Sequence, residues 1–519
     1  MSELEPDQPP KKVFRPDALN QTVIAIPLLQ KLKTARLNLT RATPELFGVI
    51  IDLNLEYRGG RSGAKKWVVK ALNELVEQLT SDPAHKAAGM NVDKQSKNKF
   101  SQQYLFVRLE APVIEALVEQ DRREHDAPPK VDPSLVGPKA IYRIWPDFTI
   151  RGLLNKSIST VKGDAAHASY SAVGHGIVWA VMDSGIDQTH KHFSTYGNLL
   201  LKLPLKHTDF TGSPDAAAAL KDKVGHGTHV AGIIAGSWPT GGPALQAYNR
   251  QRDESGEVTY AKVAVQSISG IAPQCQLLSL KVMDDDGQGG TQGEASNLMA
   301  AIALIQELNG YGRKLIVHGV NMSVGYEFDP EWFACGQSPL CVEINRLVRS
   351  GVVVVVAAGN TGYGAHQSQF NGIVSAGMGL TINDPGNADL AITVGSTHRD
   401  MPHVYGVSYF SSKGPTGDGR CKPDLVAPGE KILSCATGEL LQNMPPEEQS
   451  SNYVEDSGTS MAAPHVSGAI AAFLSIRREF IGEPEKVKEV FMNTATDLKR
   501  ERYFQGAGLV DLMRAIQSV

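Results

Sequence analysis

The sequence predicts an α/β protein: a parallel sheet covered by helices on both faces, with a smaller α+β unit ahead of it. Two observations carry this reading. Short, mostly apolar runs recur at 177–182, 277–282, 315–322, 352–358 and 391–394, with helical segments between them. Such runs read as strands buried on both faces, and their alternation with helices builds a parallel sheet that places ligands at the carboxyl ends of its strands. The second observation is chemical. Three runs end in polar or glycine residues: Asp183-Ser-Gly after the first, Ser323-Val-Gly after the third and Gly359-Asn360 after the fourth.

In chain order, residues 1–45 are polar and proline-punctuated, an extended leader with a short helix around 28–37. The pattern sharpens at Leu46. Residues 47–53 read as a strand, and 64–79 as a helix because Trp67, Val68, Leu72, Leu75, Val76 and Leu79 recur at helical spacing. A second strand at 103–109 and a second helix at 112–120 follow. Pro128, Pro129, Pro133 and Pro138 then force a loop before a third strand at 140–145. This makes residues 46–150 a compact α+β unit and leaves 151–519 as the larger domain. Within that domain, 237–268 reads as an insertion, polar with a charged patch at 250–257, and no internal repeat is present.

Composition narrows the function classes. The 519 residues are 42% hydrophobic and 20% charged, as in a folded globular chain. With 51 basic against 55 acidic residues and a net charge of -4, there is no excess positive charge to neutralise phosphates, which argues against nucleic acid as a partner. The apolar runs at 298–305 and 352–358 fall short of the roughly 20 residues that span a bilayer, so no membrane partner is expected. The acidic, proline-rich start lacks the pattern of a secretory signal. Five cysteines are too few for a disulfide framework, and an odd number leaves one thiol free. A cytoplasmic location is the expectation, with secretion the alternative.

Three segments hold the candidate chemistry: 181–187, 225–232 and 457–468. A serine hydroxyl is a weak nucleophile at neutral pH and needs a base to take its proton and a carboxylate to hold that base in the right tautomer. Ser460, His226 and Asp183 can fill those roles. Ser460 would open a helix, with its oxygen at the positive end of the helix dipole. Pro464 has no N–H, which leaves the Ser460 carbonyl without its usual helical partner.

These segments, Val181-Met-Asp-Ser-Gly-Ile-Asp187, Gly225-His-Gly-Thr-His229 and Gly458-Thr-Ser-Met-Ala-Ala-Pro-His465, resemble the motifs of the subtilisin-like serine proteases, the subtilases. The resemblance covers about 161–511 and implies a subtilisin-like sheet. It implies a triad of Asp183, His226 and Ser460, and through Ala358-Gly359-Asn360 an oxyanion donor in Asn360. It further implies that Ser323, Val324 and Gly325 face Ala357, Ala358 and Gly359 as two walls of a substrate pocket. Gly287 and Gly289 then mark the edge strand that pairs with an extended polypeptide, and Asn383 lies near the pocket floor. The unit at 46–150 is similar to the family's ferredoxin-like prodomain, which inhibits its own protease, and self-cleavage would fall within 148–157. The reading is therefore a serine endopeptidase made as a self-inhibited zymogen, working through an acyl-enzyme with no cofactor required for the chemistry. Structural calcium is common in the family, but the 237–268 insertion stands where one of its loops lies.

Plainer readings stand beside these. His226 with His229, and His190 with His192, have zinc-like spacing but no HExxH, so metal catalysis is not expected. His465 reads as packed in its helix, Asp187 as a turn residue, Cys335 and Cys341 as free thiols, and 506–511 as a structural closing segment. The competing class is a catalytically silent peptide-binding scaffold with its N-terminal unit permanently docked. A third reading is an intracellular protease awaiting a trigger.

Overall fold

A computed structural model of the protein describes residues 23–25, 28–29, 31–33, 45–80, 96–99, 101–125, 138–147, 149–152, 157–215, 217–238, 245–252, 257–263, 265, 267–287, 291–328, 334–368, 372–449 and 452–519. The chain divides into two compact units, the first mainly from Met1–Lys94 and Gln102–Pro146, the second mainly from Asp147–Phe328 and Ala334–Val519.

In the first unit, strands β1 (Leu46–Leu53), β2 (Tyr104–Glu110) and β3 (Ile141–Pro146) form an antiparallel sheet in the order β2-β1-β3. Helices α1 (Gly60–Thr80) and α2 (Ala111–His125) connect them. On α1 the buried residues Ala64, Val68, Ala71 and Leu72 stand at i, i+4, i+7 and i+8, one stripe of a 3.6-residue period. On α2 Val113, Ile114 and Leu117 do the same. The expected loop at Pro128, Pro129 and Pro133 lies outside the described residues, as do most of residues 1–45.

The second unit begins with β4 (Thr149–Gly152), then α3 (Gly163–Tyr170), β5 (Val178–Asp183), β6 (Thr208–Asp209) and α4 (His226–Ile234). A hairpin of β7 (Ala247–Arg252) and β8 (Val258–Val263) precedes β9 (Gln276–Lys281), β10 (Met283–Asp285), β11 (Thr291–Glu294) and α5 (Ala295–Leu308). Next come β12 (Gly319–Met322), β13 (Val324–Gly325), α6 (Pro339–Arg349), β14 (Val353–Ala357) and the hairpin β15 (Tyr363–Ser368) and β16 (Gly372–Gly377). The chain closes with β17 (Ile392–His398), β18 (Leu425–Glu430), β19 (Ile432–Cys435), β20 (Tyr453–Asp456), α7 (Thr459–Ile476), α8 (Pro484–Thr494) and α9 (Leu512–Gln517).

Seven of these strands form one parallel sheet in the order β18-β17-β14-β12-β5-β9-β6. All five apolar runs lie in it. Its first strand, β5, has later strands on both sides, so the sheet reverses direction of growth there, which opens a crevice at the carboxyl ends of β5 and β12. Close packing demands glycine at one point: opposite Trp179, a Cβ on Gly319 would meet the indole at 2.3 Å. Helix α7 is long and apolar enough to cross a membrane by composition, yet 89% of it is buried inside this unit, as a core helix is. Its small residues Ala462, Ala463, Ala469, Ala471 and Ala472 are wholly buried. The polar insertion folds as the β7–β8 hairpin and joins β20 and β19 in a second sheet.

Candidate active site

Asp183 is the last residue of β5, so its side chain emerges where the crevice opens. His226 opens α4, and its Nδ1 lies 2.6 Å from Asp183 Oδ1, with both side chains buried. A carboxylate can only accept, so Nδ1 carries the proton. The close approach depends on glycine. A Cβ on Gly227 would sit 2.1 Å from the Gly185 carbonyl oxygen and 3.1 Å from Asp183 Cβ.

A second carboxylate fixes this geometry. Buried Asp222 accepts hydrogen bonds from Gly225 N (2.8 Å), Thr228 N (2.8 Å) and Thr228 Oγ1 (2.7 Å), which satisfies the free N–H groups at the start of α4. It also accepts from Ser184 Oγ at 2.9 Å, and Ser184 follows Asp183 directly. One side chain thereby ties the aspartate turn to the histidine helix. Burial raises its carboxyl above the usual range. Sequence reasoning missed Asp222, although an aspartate just ahead of a helix start is a capping signal.

Ser460 is the second residue of α7 and is buried. Its Oγ donates to the Ser323 carbonyl at 3.0 Å, while Ser323 Oγ donates back to the Ser460 carbonyl at 2.6 Å. That second bond replaces the one Pro464 cannot make. Asn321, at the adjoining end of β12, continues the network: its Nδ2 donates to Ser323 Oγ at 2.9 Å and its Oδ1 accepts from Ser467 Oγ at 2.9 Å. The turn at Ser460 is therefore braced by three polar side chains, Asn321, Ser323 and Ser467. Asn321 and Ser467 carried no signal of this in the sequence.

Asn360 follows β14, and its Oδ1 accepts from both Thr459 N and Thr459 Oγ1 at 3.0 Å. With the amide oxygen held there, Nδ2 is turned away from Thr459. Ser323, Val324 and Gly325 continue β12 into β13, and Ala357 ends β14 with Ala358 and Gly359 directly after it. Asn383 lies against both segments. A Cβ on Gly359, whose φ is +108°, would meet Asn383 Cγ at 2.7 Å, and one on Gly325 would lie 3.6 Å from Asn383 Cβ. Asn383 Oδ1 in turn accepts from Thr361 Oγ1 at 3.0 Å.

Strand β4 was not expected as a strand. It lies between β11 and β13, antiparallel to both, in the order β10-β11-β4-β13. Gly293 pairs with Ile150 and Glu294 with Thr149 on one side; Val324 pairs with Gly152 and Gly325 with Arg151 on the other. Of the two glycines expected on the edge strand, Gly287 sits in the turn before it at φ +70° and Gly289 lies outside the described residues; the pairing strand is Thr291–Glu294. The difference is physical: Gly287 has the left-handed backbone a turn needs, which a paired strand does not use. Asp147 reaches the start of α5, accepting from Ser296 N at 2.7 Å.

The remaining sequence candidates have structural partners. His229 Nε2 lies 3.2 Å from the Val454 carbonyl, and His192 Nδ1 lies 2.8 Å from Tyr453 Oη. Asp187 accepts from Thr189 N, Thr189 Oγ1 and Thr437 Oγ1. No group of three or more His, Cys, Asp or Glu suited to a metal ion occurs among the described residues. All five cysteines are free. Asp456, four residues before Ser460, was not anticipated. Arg250 of the insertion hairpin lies 3.1 Å from its Oδ1, and burial pushes its carboxyl up to about 7.

Comparison with known proteins points to one family. The model of the subtilase family matches residues 174–509. Among similar proteins, pyrolysin of Pyrococcus furiosus is 30% identical over 328 residues, covering 57% of this chain, which spans 21% of pyrolysin's length. Subtilisin E of Bacillus subtilis is 28% identical over 360 residues, 69% of this chain and 70% of subtilisin E. The crystal structure of fervidolysin from Fervidobacterium pennivorans, described as a keratinolytic enzyme related to subtilisin, superimposes with a TM-score of 0.55 at 19% identity, covering 91% of this chain and 61% of that one. The likeness to fervidolysin is one of fold.

Proposed function

The chain belongs to the subtilase family, and from that premise we propose that it is a serine endopeptidase in which Asp183, His226 and Ser460 form the catalytic triad. The observation that carries this is the 2.6 Å bond between Asp183 Oδ1 and His226 Nδ1 at the crevice into which α7 delivers Ser460. His226 Nε2 takes the Ser460 proton as Oγ leaves the Ser323 carbonyl and attacks the scissile carbon. The resulting oxyanion is met by Asn360 Nδ2 and the Ser460 backbone N–H at the positive end of α7. Collapse expels the amine with the proton from His226, and water hydrolyses the acyl-enzyme by the same steps in reverse. None of these steps calls on a cofactor.

The β4 pairing suggests how substrate binds. An extended polypeptide would add as a strand between β11 and β13, gaining affinity from its backbone and selectivity from alternate side chains. Gly152 pairs with Val324, and were that register continued by one residue, residue 153 would stand opposite Ser323, whose carbonyl holds Ser460 Oγ. On this reading the chain is its own first substrate. The first unit is its prodomain and inhibitor, the bond after Leu153 is the one cut in maturation, and a leucine precedes the cut. Apolar side chains at that position are then the expected preference.

Expression of wild type and Ser460→Ala, with N-terminal sequencing of the purified chains, tests this. Wild type should yield a fragment that begins at Leu154, while Ser460→Ala stays whole. Two full-length products would exclude self-cleavage, and a fragment that begins far from residue 154 would exclude the proposed register.

A further inference from the structure

Asp456 ends β20, four residues before Ser460, and pairs with Ile432 of β19. It is buried. Its Oδ1 accepts from Arg250 Nη1 at 3.1 Å and from Ser457 N at 3.1 Å, and its Oδ2 is buried without a hydrogen bond among the described residues. Keeping a carboxylate inside a protein with one oxygen unsatisfied is costly, and an apolar side chain would avoid that cost.

The cation that meets it comes from far away in sequence. Arg250 lies on β7, in the 237–268 insertion, and its backbone N–H donates to Glu455 Oε2 at 3.0 Å. The hairpin is thereby fastened to β20 at two successive residues. Glu455 has a cation of its own in Arg399, at 3.0 Å, which leaves the Arg250 guanidinium to Asp456.

Strand β20 also runs beside the start of α4. The Val454 carbonyl, two residues before Asp456, lies 3.2 Å from His229 Nε2, and His229 stands three residues beyond His226. The charges on Arg250 and His226 both favour an ionised Asp456, against a burial that pushes its carboxyl up to about 7. Such attraction is mutual, so an ionised Asp456 favours a protonated His226. The other ionisable groups on the elements packed here are Tyr260 of β8, whose hydroxyl feels the same carboxylate, Glu448 ahead of β20 and Lys431, whose N–H meets Ser457 Oγ. On the α4 side they are Asp183 and Asp222, one bonded to His226 and the other capping its helix.

We propose that the carboxylate of Asp456 stabilises the imidazolium that forms on His226 as Ser460 attacks, and that Arg250 of the insertion hairpin keeps this carboxylate ionised. The inference rests on the endopeptidase reading given above. Asp456 takes no proton from the reaction: the one leaving Ser460 goes to His226 Nε2, and Asp456 is a positioning residue that acts through the ring by its charge. Asp183 fixes the ring from Nδ1, and a second negative charge lowers the energy of the charged transition state further. Because the Asp456 carboxyl titrates at about 7, this assistance switches on as pH rises through neutrality. The insertion then has a role in the chemistry, since its arginine sets the pH at which the enzyme reaches full rate.

The test is the second-order rate at which a serine-directed fluorophosphonate labels Ser460, followed from pH 6 to pH 9 in the protein purified from expression of the full chain. That reaction forms the Oγ–P bond, expels fluoride and passes the Ser460 proton to His226, so it reads stabilisation of the imidazolium without any peptide. Asp456→Asn should label at the wild-type rate near pH 6 and about threefold or more slowly at pH 9. Arg250→Met, a change at a half-exposed side chain, should lag at pH 7 and regain the wild-type rate by pH 9, where the carboxyl ionises unaided. A deficit in Asp456→Asn that is the same at every pH would mark a merely structural role and overturn the inference, as would no deficit at all or an Arg250→Met variant that never recovers. No labelling of Ser460 in wild type would overturn the endopeptidase reading itself, and this inference with it.

Discussion

The two units bury polar groups for different ends. In the first, the core is a sheet face against two amphipathic helices, and its most buried acid, Asp121, serves the backbone: its oxygens accept from Ala140 N at 2.9 Å and Ile141 N at 3.0 Å where β3 begins. In the second, buried polar side chains form two networks, Asp183 with His226 and, through Ser184, Asp222, and Asn321 with Ser323, Ser460 and Ser467, the latter across chain separations of up to 146 residues. A buried polar atom is costly unless its partner is in place, so within each network one member constrains the next. The first unit is specified by pattern and volume; the interior of the second is specified atom by atom.

That contrast is sharpest under Ser460→Ala. Peptide hydrolysis should fall about a millionfold, the scale of losing a triad nucleophile, while the lost bond to the Ser323 carbonyl costs about 1–3 kcal/mol of stability. Asn360→Ala should cost roughly a hundredfold to a thousandfold in kcat with little change in KM, because the lost donor acts on charge that develops in the transition state. In the first unit, Leu72→Ala should destabilise by about 2–5 kcal/mol, read as an earlier unfolding step, yet leave kcat of the matured enzyme unchanged. A fall in kcat after maturation would break the comparison. Ser323→Ala leaves the Ser460 carbonyl without the donor that Pro464 cannot supply, and should cost about 1–3 kcal/mol of stability along with part of the activity.

The smallest effect is that of pH on the second unit. Burial lowers His192 to about 3 and His465 to about 4, both below the ordinary value of about 6.5. Between those limits the unfolded chain binds more protons than the folded one, so stability falls as pH drops from about 6.5 toward 4. Asp456, raised to about 7, works in the opposite sense and offsets part of the loss. Calorimetry at pH 7 and pH 5 should show a melting temperature lower by a few degrees at pH 5, and an increase would contradict the assignment of the two histidines as buried and neutral.

The sequence was most readable where chemistry and strand ends coincide. Asp183 and Asn360 stand at the ends of apolar runs, and His226 and Ser460 stand in short glycine-bearing motifs; both features are local. The strand β4 was hidden because Thr149–Gly152 has no apolar run of its own; its identity comes from β11 and β13, more than 130 residues away in sequence. Asn321 and Ser467 were hidden for the same reason, since nothing near either one announces that they will meet. The edge strand was misplaced onto Gly287 because glycine marks both close approach and tight turns, and its positive φ settles which applies. The insertion at 237–268 read as polar with a charged patch, and its hairpin brings Arg250 to Asp456, four residues before Ser460.

The central claim is that Ser460 is made nucleophilic by His226, held in turn by Asp183. The most direct test is stoichiometric reaction with a serine-directed fluorophosphonate, followed by mass spectrometry to locate the adduct in wild type and in His226→Ala. The geometry predicts one adduct, on Ser460, formed rapidly in wild type and lost in the variant. An adduct on another residue, or equal labelling without the histidine, would contradict it.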